Sequence, residues 1–259
     1  MKSMQAWYSL FLPRSVRSLA WLCILIAFGI SLLALIGAAL HITLLTSVRS
    51  RWIGMSVITA TCLVLSALEL ALLHKSPASV RKFVGLQMPA ILDILVGSLT
   101  VVLYAIAMTT GHKPSLWGIR FLNLFWNPET RLALLTAILI LVFGCSLMLL
   151  AGGSRRASNI AHALMLPAVI VSYLVPVSYL FGIQNVYAWL GIPVALNTGL
   201  ALCALGVAIL CASPDTWMMR VFTAGHAGSV MARRLLPALL LIPLLIGWLR
   251  LYGERSGAF

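Results

Sequence analysis

Apolar and polar positions fall into long blocks along this chain, not into a short alternation. Apolar runs occupy residues 19–45, 53–74, 87–109, 130–151, 161–183, 189–212 and 235–252. A helix needs about 20 apolar residues to cross a hydrocarbon core of about 30 Å. A membrane β-barrel would show alternating segments of about 10 residues instead. The pattern therefore predicts an all-α, polytopic integral membrane helical bundle of about seven transmembrane helices. Residues 1–18 carry Lys2, Arg14 and Arg17 among Trp7, Tyr8, Phe11 and Leu12, which predicts a cytoplasmic or interfacial segment ahead of one transmembrane domain over 19–259. The run 19–45 is too long for a signal-peptide core and ends at no small-residue cleavage site, so it reads as an uncleaved first span.

Two connections mix aromatic and basic residues. Residues 114–127 combine Trp117, Phe121 and Phe125 with Arg120; residues 216–232 combine Trp217, Met218, Met219 and Phe222 with Arg220. Both suit the membrane interface, where an amphipathic helix buries its apolar side. Gly225 and Gly228 weaken the second as a continuous helix.

The blocks also recur. Thr59, Thr136 and Thr198 are each followed eight residues later by a small residue, Ala67, Gly144 and Gly206. Then come the basic pairs Arg81-Lys82, Arg155-Arg156 and Arg233-Arg234, and next Pro89, Pro167 and Pro237, each followed by alanine. Tyr104, Tyr179 with Phe181, and Tyr252 stand near the end of each second run. The expectation is one leading helix plus three hairpins in parallel repeat, over about 53–109, 130–183 and 189–252. Small residues let helix backbones approach, and proline costs little in a first helical turn. Chance similarity among leucine-rich helices is the competing account.

Composition agrees with a membrane class: 62% of residues are hydrophobic and only 9% charged, against about 25% charged in soluble domains. The net charge of +13 does not point to nucleic acid, because Lys and Arg lie between apolar runs and not in a basic domain. They read as topology signals that also meet anionic headgroups. A cytoplasmic N-terminus places eleven basic residues on that side and seven on the other, the sense expected of the cytoplasmic (inner) membrane of a bacterium. The cysteines Cys23, Cys62, Cys145, Cys203 and Cys211 lie inside apolar runs and read as small buried side chains without disulfide or metal roles.

Ionisable residues inside spans are functional candidates by default. Glu69 and Asp93 stand near the cytoplasmic ends of the second and third spans, close in sequence to His74, Lys75, Arg81 and Lys82. Two readings apply: an interfacial salt-bridge cluster that locks the hairpin turn, or a proton-responsive pair or polar ligand site. His41, near the external end of the first span, reads as an interfacial histidine or as a haem or metal ligand; no second histidine faces it at helical spacing. Asn197 and Thr198 could line an external polar pocket with Gln184, Asn185 and Tyr187, or make helix–helix hydrogen bonds. Pro176 predicts a kink. His162 opens the fifth run.

No GxGxxG, Walker A, GxSxG or HExxH pattern occurs, so the expectation is a non-enzyme. No cofactor is expected, with haem or another pigment left open, and no metal site. The expected partners are the lipid bilayer and either further copies of the chain or partner membrane subunits, with no nucleic acid.

The segments SYLFGI, IPVALNTGLALCALGVAILCASPD and ARRLLPALLLIPLLIGWLRLYGERSG resemble the N-terminal multi-span membrane sensor region of bacterial PAS-containing sensor histidine kinases and diguanylate cyclases. The likeness covers about 173–257, and the earlier hairpins resemble degenerate versions of the same block. It implies a transmembrane sensory input module, whose family usually adds a further span after the GER-G turn before its cytoplasmic output domains. Here the sequence stops at Phe259, on the external side of the seven-span topology, so the expectation is either a fragment or a stand-alone relative without output. The alternatives are an accessory subunit of a larger membrane complex and a small transporter or channel.

Overall fold

A computed structural model of the chain describes residues 2–47, 53–75, 84–110, 132–182, 194–212, 216, 217, 219 and 227–256. Among the described residues the regular structure is entirely helical: α1 (Lys2–Ala39), α2 (Thr43–Thr46), α3 (Val57–Lys75), α4 (Val84–Thr110), α5 (Leu134–Ala151), α6 (Arg155–Leu180), α7 (Leu196–Cys211) and α8 (Ala227–Ser256). Six helices are long and apolar enough to cross a membrane, with spans at Val16–Ala39, Val57–Lys75, Gln87–Thr109, Leu134–Ala151, Arg155–Leu180 and Pro237–Glu254. The chain is a multi-pass helical bundle. α7 is apolar but has 16 residues, about 24 Å at 1.5 Å per residue.

Several boundaries differ from the sequence expectation. α1 runs as one helix through residue 18, with its membrane-crossing stretch at Val16–Ala39, so the leading segment continues into the first span without a break. The expected span 19–45 stops at Ala39. The amide of Ile42 donates to the Gly37 carbonyl at 2.8 Å, and His41 takes φ 55°. This closes the helix with a left-handed residue. The chain then folds back tightly, and a Cβ on Gly37 would lie 2.5 Å from Leu45 Cβ. α2 follows, and its Thr46 carbonyl accepts the Met55 amide at 3.0 Å, which leads the chain into α3. α6 begins at Arg155, six residues before the expected 161, because Ser154 caps it by accepting the Ala157 amide at 3.1 Å. Pro167 and Pro176 both lie inside this continuous helix. α8 starts at Ala227, so Gly228 falls in its first turn. The connection 114–127, the basic pair Arg81-Lys82, and Gln184, Asn185 and Tyr187 lie outside the described residues.

The packing is built around α3, α5 and α7, which touch one another. α4 lies against α3 and α5, α6 against α5 and α7, and α1 against α7 and α3. α8 rests mainly on α6. The three central helices bury residues at one shared register. Thr59, Ala60, Cys62, Leu63, Ser66, Ala67, Glu69 and Leu70 of α3 correspond to Thr136, Ala137, Leu139, Ile140, Phe143, Gly144, Ser146 and Leu147 of α5. In α7 the same places hold Thr198, Gly199, Ala201, Leu202, Leu205, Gly206, Ala208 and Ile209. The outer helices share a second register: Ala90, Asp93 and Thr100 of α4 match Met165, Ala168 and Val175 of α6 in spacing and burial.

Small residues permit these approaches. A Cβ on Gly144 would lie 2.7 Å from the Ala90 carbonyl of α4, and one on Gly206 would lie 2.5 Å from the Val169 side chain of α6. Tyr104 and Tyr179, near the ends of the outer helices, donate their hydroxyls to the carbonyls of Leu132 and Val194 at 2.9 and 3.0 Å. Each carbonyl lies two residues before the first residue of a central helix, a place where backbone groups lack helical partners. Tyr252, the third aromatic of the set, is exposed and stacks on Trp248. Leucines and isoleucines such as Leu25, Leu95, Ile170 and Leu249 face outward, as suits surfaces turned to hydrocarbon.

Candidate functional site

The central register is apolar or weakly polar at every place but one. Where α5 has Ser146 and α7 has Ala208, α3 has Glu69, with 1% of its surface exposed. The outer register departs in the same neighbourhood: where α6 has Ala168, α4 has Asp93, also 1% exposed. The two carboxyl groups come from adjacent packed helices and interact electrostatically. α5 closes the site on a third side, since a Cβ on Gly144 would lie 2.9 Å from Asp93 Cβ.

Asp93 is held by α3. The Ser66 hydroxyl makes a short hydrogen bond to Asp93 Oδ2 and also lies 2.7 Å from the Cys62 carbonyl one turn earlier. The Cys62 thiol reaches the same carboxylate. Cys62, Ser66 and Glu69 follow at four- and three-residue spacing, which puts all three on one face of α3. Glu69 is unlike Asp93: neither of its oxygens has a side-chain partner and its carboxyl lies beside the Ala90 backbone amide of α4, while Asp93 Oδ1 has no partner. A buried charge without a partner costs several kcal/mol, so this arrangement needs positive charge or neutral carboxyls.

The expected salt-bridge cluster is not what the described residues form. Lys75 is exposed and sits over the Trp21 ring at 5.3 Å, and the His74 ring packs edge-on to Trp21 with Nδ1 3.0 Å from the Leu70 carbonyl. Among the described residues the ion pair is Arg250–Glu254 on exposed α8, at 3.0 Å. Lys75 points away because α3 turns its Glu69 face inward to α4 and its last turn toward α1. Arg81 and Lys82 lie outside the described residues.

The other candidates separate from this site. His41 is exposed in the turn that ends α1, a backbone position. Asn197 donates from Nδ2 to the Thr46 carbonyl at 3.3 Å and ties α7 to α2; Thr198 is buried beside it. Neither stands near Glu69 in the packing, since both begin α7 whereas Glu69 lies toward the end of α3. Sequence reading passed over a further polar contact. His162 is fully buried in the second turn of α6, with Nδ1 2.9 Å from the Thr216 hydroxyl and no partner at Nε2. Asn159, one turn earlier, accepts the Trp217 amide at 3.4 Å. The signal was present in the basic-turn segment after α7, but the pairing spans 54 residues and no local pattern carries it.

Cys23, Cys62 and Cys211 are buried free thiols, and Cys145 and Cys203 are partly buried free thiols. Among the described residues no three His, Cys, Asp or Glu side chains converge as a metal-ligating group. What the Glu69–Asp93 site offers chemically is two carboxyls, a hydroxyl and a thiol in a closed three-helix junction. Compared with known proteins, the chain matches no protein-family model, no curated protein and no solved structure.

Proposed function

We propose that this chain is a non-enzymatic transmembrane input module of a bacterial signalling protein, in which the Glu69–Asp93 junction receives the stimulus. The observation that carries this reading is the burial of two carboxyls, with no cationic partner among the described residues, at the junction of α3, α4 and α5. Ionisable groups inside a membrane are expensive, and a chain that buries two within electrostatic reach of each other uses them. The likeness of residues 173–257 to the membrane region of PAS-containing sensor kinases and cyclases supports the same reading. The finer architecture belongs here too: seven spans with a cytoplasmic N-terminus, as one leading helix and three parallel hairpins. The shared burial registers of α3, α5 and α7 support that duplication.

The mechanism follows from the packing. A change in the charge held at Glu69 and Asp93 alters how closely α4 can sit on α5 at Gly144. Outer helix α6, on the far side of α5, carries α8, which is otherwise held loosely. α8 is therefore the element through which a shift leaves the bundle, toward an output domain or a partner subunit.

Distance probes on α6 and α8 in proteoliposomes test this. The input reading expects a distance change when pH or salt is altered, lost in the Glu69→Gln, Asp93→Asn double variant, with no net flux. Flux that depends on the same two residues would favour a transporter. A silent distance probe, no flux and a stoichiometric partner retained from native membrane would favour an accessory subunit.

A further inference from the structure

We propose that Glu69 and Asp93 together form a site that takes two small monovalent cations, a proton on each carboxyl or one proton and one alkali ion, from the aqueous side next to the C-terminus of α3. This deepens the input reading by naming the ligand class, and it rests on that reading only for its use, not for its existence.

Both carboxyls are 99% shielded from solvent, and three of their four oxygens have no side-chain hydrogen-bond partner. The fourth, Asp93 Oδ2, takes the Ser66 hydroxyl, a neutral donor. The Ser66 hydroxyl, the Cys62 thiol and the Ala90 amide are all neutral donors and do not neutralise two carboxylates in a low-dielectric interior. Among the described residues, the helices packed around the pair offer no positive charge to it. α5 and α7 contain no Lys, Arg, Asp, Glu or His, only Cys145, Cys203 and Cys211. α4 contributes Asp93 and Tyr104, the latter committed to the Leu132 carbonyl. α3 itself contributes Cys62 on Asp93, then His74 and Lys75, both packed on Trp21 of α1. From α1 come Cys23 and an exposed Arg17; its side chains before Val16 lie outside the described residues. Arg81 and Lys82, in the connection from α3 to α4, lie outside the described residues; among the described residues the pair has no cation, and its neutrality comes from solution.

The donor set decides the class of ion. Carboxylate and hydroxyl oxygens are hard ligands, suited to protons and alkali ions. The two carboxyls are not joined by a third His, Cys, Asp or Glu in a metal-ligating group among the described residues. A divalent ion held by one or two carboxylates keeps several waters, and both carboxyls here are 1% exposed, shut away from such a hydration shell. Access is short, because Glu69 stands six residues before the end of α3 at Lys75.

Infrared difference spectroscopy on the full-length protein in lipid reads the occupant directly. A carboxylic C=O band is expected that is partly lost in Glu69→Gln and in Asp93→Asn, fully lost in the double variant, and shifted in heavy water. Loss of this band as pH rises, equal in sodium and choline chloride, identifies the proton. Loss of the band at fixed pH when sodium replaces choline identifies the alkali ion, with release of a proton to the medium. A band that neither exchanges in heavy water nor responds to pH or sodium would overturn the proposal in favour of a sealed structural pair. Absence of any band from these two residues, with no sodium effect, would also overturn it. The conservative variants preserve shape, and their helix content checks folding. This readout is carboxyl protonation, so it can succeed while the distance probe and flux assays of the input reading fail.

Discussion

The hydroxyl of Tyr104 reaches the carbonyl of Leu132 across 28 residues of sequence at 2.9 Å, and Tyr179 repeats the contact on Val194 at 3.0 Å. In both places an outer helix is pinned to the entry of the next central helix. Removing one hydroxyl leaves a buried carbonyl unpaired. Tyr104→Phe and Tyr179→Phe should therefore each lower stability by about 1–2 kcal/mol. The two contacts share no residues, so the losses should add. Thermal unfolding in detergent measures this; strong non-additivity would mean that the two joints are coupled.

Gly144 predicts a steric effect. Its missing side chain is replaced by the Ala90 backbone of α4, so Gly144→Ala should cost about 1–3 kcal/mol through overpacking. Gly228, in the first turn of α8, has nothing within 4 Å of its Cβ position. Gly228→Ala should be neutral or stabilising by up to about 1 kcal/mol, since alanine is the better helix former. Equal effects of the two substitutions in an unfolding assay would contradict the packing.

Ser66 is the one hydroxyl that holds Asp93. Ser66→Ala should destabilise the bundle by about 1–3 kcal/mol. A double-mutant cycle with Asp93→Ala should return a coupling energy of about 0.5–3 kcal/mol, as contacting residues do. A coupling near zero would show that the hydroxyl serves only the Cys62 carbonyl of its own helix.

Phe181 seats α8 at Gly247, where a Cβ would lie 2.8 Å from its ring. Phe181→Ala should speed hydrogen exchange through α8 while leaving exchange in α3, α5 and α7 unchanged, as expected for a locally stable unit. Faster exchange throughout would mean that α8 is integral to the core.

The proposed orientation has its own test. Lys75 and Thr109 are exposed at opposite ends of the first hairpin, α3 and α4. Lys75→Cys should react with a membrane-impermeant thiol reagent from the cytoplasmic face, and Thr109→Cys from the other. The reverse pattern would invert the topology drawn from the Lys and Arg distribution.

Periodicity and composition were enough to establish the membrane class and the helical runs, because the bilayer demands apolar length and closed backbone bonding whatever the partners are. The Thr59, Thr136 and Thr198 alignment also located positions that share a burial register, since identical helix faces leave a 3.6-residue imprint in sequence. The proline alignment did not follow burial. In the register of the outer helices Pro89 corresponds to position 164, three residues before Pro167. Proline tolerance near a helix start is broad, so it marks a region and not a register.

Sequence alone also drew attention to Glu69 and Asp93, because charge is rare in such a chain. It could not say where His74 and Lys75 lie relative to the pair. That depends on which way α3 turns its faces, and helix rotation is set by packing against α1, α4 and α5, not by local propensity. The same holds for His162 with Thr216 and for the place of α1 against α7 and α3. Residues far apart in the chain meet there, and only the tertiary arrangement brings them together.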